Sequence, residues 1–312
     1  MAIDFGEDGK PMENVFTHSS GFEQGGGSIR PGMGTFVVAL DGSGDFDDIQ
    51  EAIDALPSTG GVVFIKEGTY IISKGIVIGK NDVKIEGTGR ATILKAKDAV
   101  AADLIFFDEN GFDNLIFSDF VIDGNKANQV GARVLTGIRL RFNIDCIIEN
   151  ILMKNMQGAG SYGIYLFSNT STDGRHIVQK CTFKDFDGAD ETIFVAMENC
   201  IITENTLSAI NAIGIKLSTF KNSIVSSNTI TGCGEEGILI QTSDENIITG
   251  NLLTGNDYGI RIFDEASDKN ILIGNICLRN TTGQITDGGT NTHPNGASGT
   301  TNLALDDLNI IA

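Results

Sequence analysis

The sequence of 312 residues has no tryptophan, only four prolines and few basic side chains. Its 22 lysines and arginines face 41 aspartates and glutamates, so the formal net charge is −19. A chain with so little positive charge is not expected to bind nucleic acid. No apolar run approaches the roughly 18 residues of a membrane-spanning helix, and no signal peptide is visible at the N-terminus. We therefore expect neither nucleic-acid binding nor membrane insertion.

Cysteine and histidine are also scarce, and their positions do not favour a metal centre built from them. The five cysteines have no C-x-x-C spacing, which is typical neither of a disulfide framework nor of a zinc site, so we predict buried thiols. The three histidines, His18, His176 and His293, fall in different parts of the chain. Acidic turns offer the oxygen ligands that Ca²⁺ prefers, so calcium is the metal left open, and no cofactor is required.

One pattern recurs between Gly137 and Asn280, and such repeats decide the fold. A small residue is followed by Ile, any residue and an aliphatic residue, then by a polar stretch and a second apolar segment that contains Asn. The opening small residue falls at Gly163, Thr192, Gly214, Gly237 and Gly259. The steps from Thr192 onward are 22 or 23 residues, whereas the step from Gly163 to Thr192 is 29 residues.

Each copy holds short alternating segments rich in Ile, Val, Leu and Thr, with Gly, Asn, Asp and Ser between them, which predicts strands and turns. Three short strands in each coil predict an all-β fold, a right-handed single-stranded parallel β-helix. Equivalent residues of such a solenoid stack about 4.8 Å apart. Asn205, Asn228, Asn251 and Asn275 are therefore predicted to form a hydrogen-bonded ladder.

The two ends of the chain differ from the repeats. Residues 1–34 are Gly-rich and irregular and are interpreted as a flexible tail, and residues 35–280 as the β-helix. A capping helix is predicted over residues 45–56, with Asp45 as its N-cap, Asp48 in its first turn and Pro57 as its stop. Residues 281–312 begin polar and end apolar, so they are predicted to cap the last coil or to contact another subunit.

The segment VVALDGSGDFDDIQEAIDALPSTGGVVFIKEGTYIIS, residues 37–73, resembles the opening of pectin-lyase-like β-helix proteins. Its first part is similar to pectin methylesterases, and TGGVVFIKEGTYII is similar to polysaccharide lyases and phage tailspikes. The repeats continue the resemblance over roughly residues 37–280. The resemblance implies the fold, a polysaccharide partner, and a location outside the cell or on a virion.

The chain departs from the catalytic motifs of these proteins. Pectin methylesterases carry an Arg-Pro-Trp segment, and this chain has no Trp. The motif set of polygalacturonases is absent as well. Where alginate epimerases carry Tyr-Gly-Phe-Asp-Pro-His, this chain has Tyr162-Gly163-Ile164-Tyr165-Leu166-Phe167, so Tyr165 and Phe167 stand at the catalytic Asp and His positions. The resemblance therefore leaves open whether the protein is an enzyme; if it is one, a polysaccharide lyase or a glycoside hydrolase is expected.

The strand that follows each small residue points its alternate side chains outward if its Ile points inward. Basic and aromatic residues gather at these outward positions on an otherwise acidic chain, which favours binding of sugar rings, carboxylates or sulfates. A subunit interface or an ordinary surface are the alternatives. The candidate substrate-binding residues are Arg139, Arg141, Tyr162, Tyr165, Phe167, Lys216, Arg261 and Phe263.

Carboxylates precede the same strand in several coils. Glycoside hydrolysis needs two carboxyl groups, and stacking in adjacent coils would raise the pKa of one of them. The candidate catalytic residues are Asp190, Glu191, Glu235 and Asp257. The alternative is that these residues belong to solvated turns or make weak Ca²⁺ contacts.

The sequence thus predicts recognition of a polysaccharide by a protein of the tailspike or pectin-lyase-like type, with glycan cleavage left open. The alternative is a non-catalytic structural module, such as a homotrimer on a virion or a surface adhesion module.

Overall fold

The computed structural model describes residues 34–99, 106–108, 111–129, 136–158, 160–168, 174–187, 190–219, 221–292 and 309–311. The predicted N-terminal tail lies outside these residues except for Gly34, which opens the first strand. The described chain winds through three parallel sheets, one strand in each sheet per coil. The predicted right-handed parallel β-helix is confirmed.

The strands are numbered in chain order and fall into three sheets. Sheet 1 contains β1 (Gly34–Val38), β2 (Gly61–Ile65), β5 (Val83–Glu86), β8 (Ile116–Ser118), β11 (Ile147–Glu149), β14 (Ile177–Gln179), β17 (Ile201–Thr203), β20 (Ile224–Ser226), β23 (Ile247–Thr249) and β26 (Ile271–Ile273). Sheet 2 contains β4 (Ile76–Val77), β7 (Phe106–Asp108), β10 (Thr136–Arg141), β13 (Tyr162–Phe167), β16 (Glu191–Ala196), β19 (Ile213–Ser218), β22 (Glu236–Gln241), β25 (Tyr258–Ile262) and β28 (Gly283–Asp287). Sheet 3 contains β3 (Gly68–Ile72), β6 (Thr92–Ala96), β9 (Val121–Asp123), β12 (Leu152–Gln157), β15 (Thr182–Asp187), β18 (Thr206–Ile210), β21 (Thr229–Cys233), β24 (Leu252–Thr254), β27 (Ile276–Leu278) and β29 (Ile310–Ile311).

The core is built from columns of inward side chains, one per strand position. In sheet 2 the inward isoleucine of each repeat stacks on its equivalent in the next coil, and all six are fully buried: Ile138, Ile164, Ile193, Ile215, Ile238 and Ile260. Burying such a side chain contributes about 1.5–3 kcal/mol. The preceding small residue is required by space, because a Cβ on Gly214 would lie 2.6 Å from the carbonyl oxygen of Gly237.

The predicted asparagine ladder is confirmed. The Oδ1 of Asn228 accepts hydrogen bonds from both the backbone N and the Nδ2 of Asn205, each at 3.0 Å. The same pair of bonds links Asn228 to Asn251 and Asn251 to Asn275, and the ladder continues to Asn309. Every rung is buried, so the ladder satisfies backbone groups that water cannot reach.

The buried thiols predicted from the sequence are confirmed, and two of them terminate polar ladders. The backbone N of Cys181 donates to Asn205 Oδ1 at 3.0 Å, and its Sγ contacts the carbonyl oxygen of Ile148 at 3.7 Å. Cys233 likewise donates its backbone N–H to the Oδ1 of Asn256 at the start of a second ladder. A thiol therefore ends each row of amides, which explains unpaired cysteines in a buried position.

The capping helix exists but begins later than predicted. Helix α1 spans Ile49–Ala55, and its N-cap is Asp48, whose side chain accepts from the backbone N of Glu51 at 3.1 Å. The expected cap, Asp45, is engaged elsewhere, because its Oδ2 accepts from the backbone N of Val37 at 2.8 Å. The helix packs against β1, β2 and β4 at the end of the solenoid.

The described parts of the C-terminal segment continue sheets 2 and 3 of the solenoid. Strand β28 pairs with β25 in sheet 2, and β29 pairs with β27 in sheet 3. The coil therefore extends beyond residue 280, and residues 293–308 lie outside the described residues. Within the part of the chain that the structure describes, no helix is long and apolar enough to cross a membrane.

Candidate functional site

The candidate site lies on the outer surface of β10, β13, β16, β19, β22 and β25, here called the sheet 2 face. The register places the predicted outward residues in columns that run along the solenoid. The first column contains Arg139, Tyr165, Phe194, Lys216, Leu239 and Arg261. The second column begins with Arg141, Phe167 and Ala196 and continues with Ser218 and Gln241. Phe263 follows the last residue of β25.

Two aromatic rings in the first column stack on each other. The ring centroids of Tyr165 and Phe194 lie 5.0 Å apart, with an interplanar angle of 12°. The Arg139 guanidinium lies 5.9 Å from the Tyr165 centroid, and the Lys216 ammonium lies 5.9 Å from that of Phe194. The two rings therefore form a column between two cations, and the faces that we expected to stack on sugar are covered by protein groups. This column presents ring edges outward.

Tyr162, the first residue of β13, packs against this column. Its ring lies 4.8 Å from that of Tyr165 and 5.9 Å from that of Phe194, with an angle of 64° in both cases. Burial, followed by the nearby Glu191 and Asp190 carboxylates, raises the pKa of Tyr162. Its hydroxyl therefore stays protonated at neutral pH and can donate a hydrogen bond.

Arg141 and Phe167 extend the aromatic and cationic surface in the second column. The Arg141 guanidinium lies 5.3 Å from the Phe167 ring centroid, and the Phe167 ring lies 5.8 Å from that of Tyr165 at 27°. Arg139, Arg141, Tyr162, Tyr165 and Phe167 are thus brought together by β10 and β13, as predicted from the repeat.

Glu191 and Lys216 form a buried ion pair one coil further along. Lys216 Nζ lies 2.8 Å from Glu191 Oε1, and Glu191 is only 5% exposed. The other carboxylate oxygen, Oε2, is buried without a hydrogen-bond partner among the described residues. An unpartnered buried carboxylate oxygen is costly, which is characteristic of a functional position.

Glu236 and Arg261 repeat the same arrangement two coils later. Arg261 Nη1 lies 2.8 Å from Glu236 Oε1, and its guanidinium lies 4.7 Å from the ring centroid of Tyr258 and 4.9 Å from that of Phe263. Phe263 is 49% exposed, so its ring is available to a ligand. Sequence reasoning did not select Glu236 as a site residue. Its position in the repeat, equivalent to that of Glu191, is the feature that could have identified it.

The four predicted catalytic carboxylates do not share one column. Glu191 opens β16, whereas Asp190, Glu235 and Asp257 each precede the first residue of their strand. Asp190 Oδ1 accepts from the backbone N of Gly160 at 3.1 Å. Asp257 Oδ1 accepts from the hydroxyl of Thr281 at 2.9 Å. The register places Asp190, Glu235 and Asp257 at equivalent positions, whereas Glu191 lies one residue further on and is offset from them.

Glu235 differs from these anchored aspartates. Partial burial, followed by the charges of Glu236, Glu191 and Asp190, raises the pKa of Glu235. The backbone N of Asp257 donates to the carbonyl oxygen of Glu235 at 3.0 Å, so the two residues lie in adjacent coils. Glu235 is therefore the carboxyl group on this surface that is best placed to hold a proton.

The sheet 2 face is not a basic patch, contrary to expectation. Lys216 and Arg261 are both paired with carboxylates. The remaining cations among the candidate residues, Arg139 and Arg141, lie at the N-terminal end of the face. The carboxylates around the two ion pairs are Asp190, Glu191, Glu235, Glu236 and Asp257. The half of the face that contains β16 to β25 therefore carries more negative than positive charge.

Comparisons with known proteins place the chain among β-helices. The family described as periplasmic copper-binding protein (NosD) matches residues 65–303. Pectinesterase 4 of Arabidopsis thaliana is 35% identical over 100 residues, which cover 31% of this chain and 16% of the relative. The preneck appendage protein of Bacillus phage PZA is 29% identical over 124 residues, 38% of this chain and 14% of the relative. The chain thus spans a small part of these relatives' length.

Solved structures share the fold at low identity. The A-module of mannuronan C-5 epimerase AlgE6 from Azotobacter vinelandii has a TM-score of 0.56 at 20% identity, covering 78% of this chain and 74% of that chain. The tailspike protein of E. coli bacteriophage HK620, solved in complex with a pentasaccharide, has a TM-score of 0.55 at 16% identity, covering 84% and 60%. Such similarity establishes a common β-helix fold.

The copper named in the family description can be tested against the donors present here. His176 Nδ1 accepts from the backbone N of Cys146 at 3.1 Å, so Nε2 carries the proton and faces Met197 Sδ at 3.2 Å. The imidazole therefore has no free lone pair for a metal. Among the described residues, no three His, Cys, Asp or Glu side chains are grouped to hold a metal ion. These residues do not fit a copper centre, and calcium binding stays a prediction.

Proposed function

The chain belongs to the family described as periplasmic copper-binding protein (NosD), and on its right-handed β-helix we propose that the sheet 2 face recognises polysaccharide. The observation that carries the proposal is the alignment of aromatic rings and ion pairs over successive coils of one sheet. A linear ligand laid along the solenoid would meet these groups one after another. The HK620 tailspike, which shares the fold, was solved with a pentasaccharide.

The chemistry of the sheet 2 face suits sugars. Phe263 offers a half-exposed ring face to the apolar C–H side of a pyranose, and its position is fixed by the Arg261 guanidinium. Arg261 is itself held by Glu236, so little side-chain entropy is lost when a ligand binds. Ring edges of Tyr165 and Phe194 would offer apolar contact on the sheet 2 face, and the Tyr162 hydroxyl would donate to a sugar oxygen.

Glycan cleavage is a second candidate, favoured by Glu235. A general acid of a glycosidase needs a carboxyl group with a raised pKa, and partial burial with three neighbouring carboxylates raises that of Glu235. Asp257 in the adjacent coil and Asp190 two coils away are its candidate partners. Release of new reducing ends from a bound polysaccharide, lost in Glu235→Gln, would support this activity; binding without any product would contradict it.

The proposal includes a location outside the cytoplasm or on a virion. The family description names the periplasm, and a phage appendage protein is among the relatives.

A glycan array tests the proposal, together with two matched substitutions. Phe263→Ala removes an exposed ring on the sheet 2 face, and Ile273→Ala removes an apolar side chain that is 41% exposed on sheet 1. We expect Phe263→Ala to weaken glycan binding about tenfold, roughly 1.4 kcal/mol, and Ile273→Ala to leave it unchanged. An array without any bound glycan, or equal binding by the two variants, would contradict polysaccharide recognition on this face.

A further inference from the structure

The sheet 2 face alternates in charge from one coil to the next. The coil of β16 carries the acidic pair Asp190 and Glu191, and the coil of β22 carries the acidic pair Glu235 and Glu236. The coils of β19 and β25, which follow them, each place a cation in the first outward column, and the coil of β25 also carries Asp257, whose Oδ1 accepts from the hydroxyl of Thr281. These cations are Lys216 and Arg261. The chemical repeat of this surface is therefore two coils, although the structural repeat is one coil.

Each two-coil unit contains the same ion pair. Glu191 binds Lys216 and Glu236 binds Arg261, both with 2.8 Å between nitrogen and oxygen. In each case the cation lies 25 residues after the glutamate. Because adjacent strands lie about 4.8 Å apart, equivalent atoms of the two units are separated by about 9.6 Å along the solenoid. This length is close to that of one disaccharide unit in an extended 1,4-linked glycan.

The two kinds of coil offer complementary hydrogen-bonding groups. The acidic coils present the exposed carboxyl groups of Asp190 and Glu235, which accept hydrogen bonds, and the following coils present the ammonium of Lys216 and the guanidinium of Arg261, which only donate. A sugar hydroxyl both donates and accepts, so an uncharged sugar can use both kinds of coil. A sugar carboxylate or sulfate would instead face Asp190, Glu235 and Asp257, which repel it.

From this alternation we infer that the ligand is an extended, uncharged glycan with a disaccharide period, lying along the sheet 2 face with one disaccharide over each Glu–cation unit. The inference rests on the proposed polysaccharide recognition and names its substrate class. It extends from β16 to β25, so two disaccharides fill the two units.

Oligosaccharide pairs that differ only at C6 provide the test. Binding is measured by calorimetry for β-1,4-linked mannose and glucose oligomers of two to six residues, and for the same oligomers oxidised to uronates. We expect the uncharged series to bind, with affinity rising mainly at two and at four residues. We expect each uronate to bind at least tenfold more weakly than its uncharged counterpart.

The alternative outcomes separate the inference from the proposed function. Equal or tighter binding of the uronates, or an even rise with every added residue, overturns the inference and leaves polysaccharide recognition standing. Absence of binding by all these oligomers also overturns it. If the glycan array is empty as well, the proposed function falls with it.

Two variants locate the effect on the sheet 2 face. Glu236→Gln combined with Arg261→Gln removes one unit and should abolish the gain between two and four residues. The matched control is Glu245→Gln with Lys269→Gln, an exposed ion pair elsewhere, which should change nothing. If the first variant does not fold, Asp190→Asn removes a single exposed carboxylate, keeps the acceptor for the backbone N of Gly160 and should strengthen uronate binding severalfold; unchanged uronate binding would count against the inference.

Discussion

Replacing His176 by asparagine should make the β-helix less sensitive to acid. His176 makes the hydrogen bond that Asn or Ser makes in later coils. Its Nδ1 accepts from the backbone N–H of Cys146, just as the Oδ1 of Asn246 accepts from that of Ser223. The imidazole is almost completely buried, and it can accept this bond only while Nδ1 is unprotonated. Asparagine keeps the acceptor at every pH.

The magnitude follows from the pKa of His176. Burial lowers this pKa from 6.5 to about 4, whereas the ion-paired Asp145 and Arg175 act on it in opposite directions. Because the unfolded chain takes up the proton first, the free energy of unfolding falls as the pH drops below 6.5 and levels off below about 4. The full loss is roughly 3.4 kcal/mol at about 1.36 kcal/mol per pKa unit, and about 3 kcal/mol of it is reached at a pH equal to the folded-state pKa.

Urea unfolding at pH 7 and at pH 4, followed by circular dichroism because the chain has no tryptophan, measures this loss. The quantity compared is the drop in the free energy of unfolding between the two pH values, in the wild type and in His176→Asn. The drop should be smaller by about 3 kcal/mol in the variant. Any cost of the smaller side chain is the same at both pH values and cancels, as do the carboxylates that titrate in both proteins.

An equal drop in both proteins would refute the reasoning. It would mean that His176 is protonated in the folded state at the same pH as in the unfolded chain, and that the bond to Cys146 does not hold its tautomer. His176→Gln provides a second uncharged replacement and should behave like His176→Asn.

Three further outcomes are expected. Cys181→Asn should preserve the melting temperature, because the new Nδ2 can donate to the carbonyl oxygen of Ile148. Cys181→Ala should lower the free energy of unfolding by about 1–2 kcal/mol. Equal melting temperatures of the two variants would count against capping by the thiol. Tyr165→Ala should lower the free energy of unfolding by about 2 kcal/mol even without ligand, because its ring lies between Arg139 and Phe194, and unchanged urea unfolding would contradict this packing. If the homotrimer predicted as an alternative exists, sedimentation should give three times the mass of one chain, and the mass of a single chain would exclude it.

The coil architecture could be predicted from the sequence because the repeated residues, above all the asparagines, are typical of stacked coils. The ladder asparagines recur every 23 or 24 residues, and a buried amide at a turn has to bond to its neighbours along the axis. The start of α1 could not be predicted, since Asp45 and Asp48 are equally good caps in isolation. Only the pairing of Asp45 with Val37 in the folded chain decides between them.

The sequence could predict which residues lie at the candidate site better than it could predict how they interact. Alternation along β13 and β19 was enough to place Tyr165 and Lys216 on the outer surface. Whether a ring face is open depends on its neighbours in the coils above and below, which lie more than twenty residues away in the chain. The ion pair between Glu191 and Lys216 depends on the same cross-coil register, because the two residues lie 25 positions apart in the chain and meet only when adjacent coils stack.

The asparagine ladder makes the solenoid tolerant of changes in the number of coils. Each rung accepts from the coil before it and donates to the coil after it, so a duplicated coil inserted after Asn228 would find matching bonds at both ends. The surface does not share this tolerance. Duplicating one coil would break the two-coil repeat of acidic and cationic coils, whereas duplicating two coils would lengthen the sheet 2 face and keep that repeat. In lineages that keep the ligand, gain and loss of coils should therefore occur in pairs.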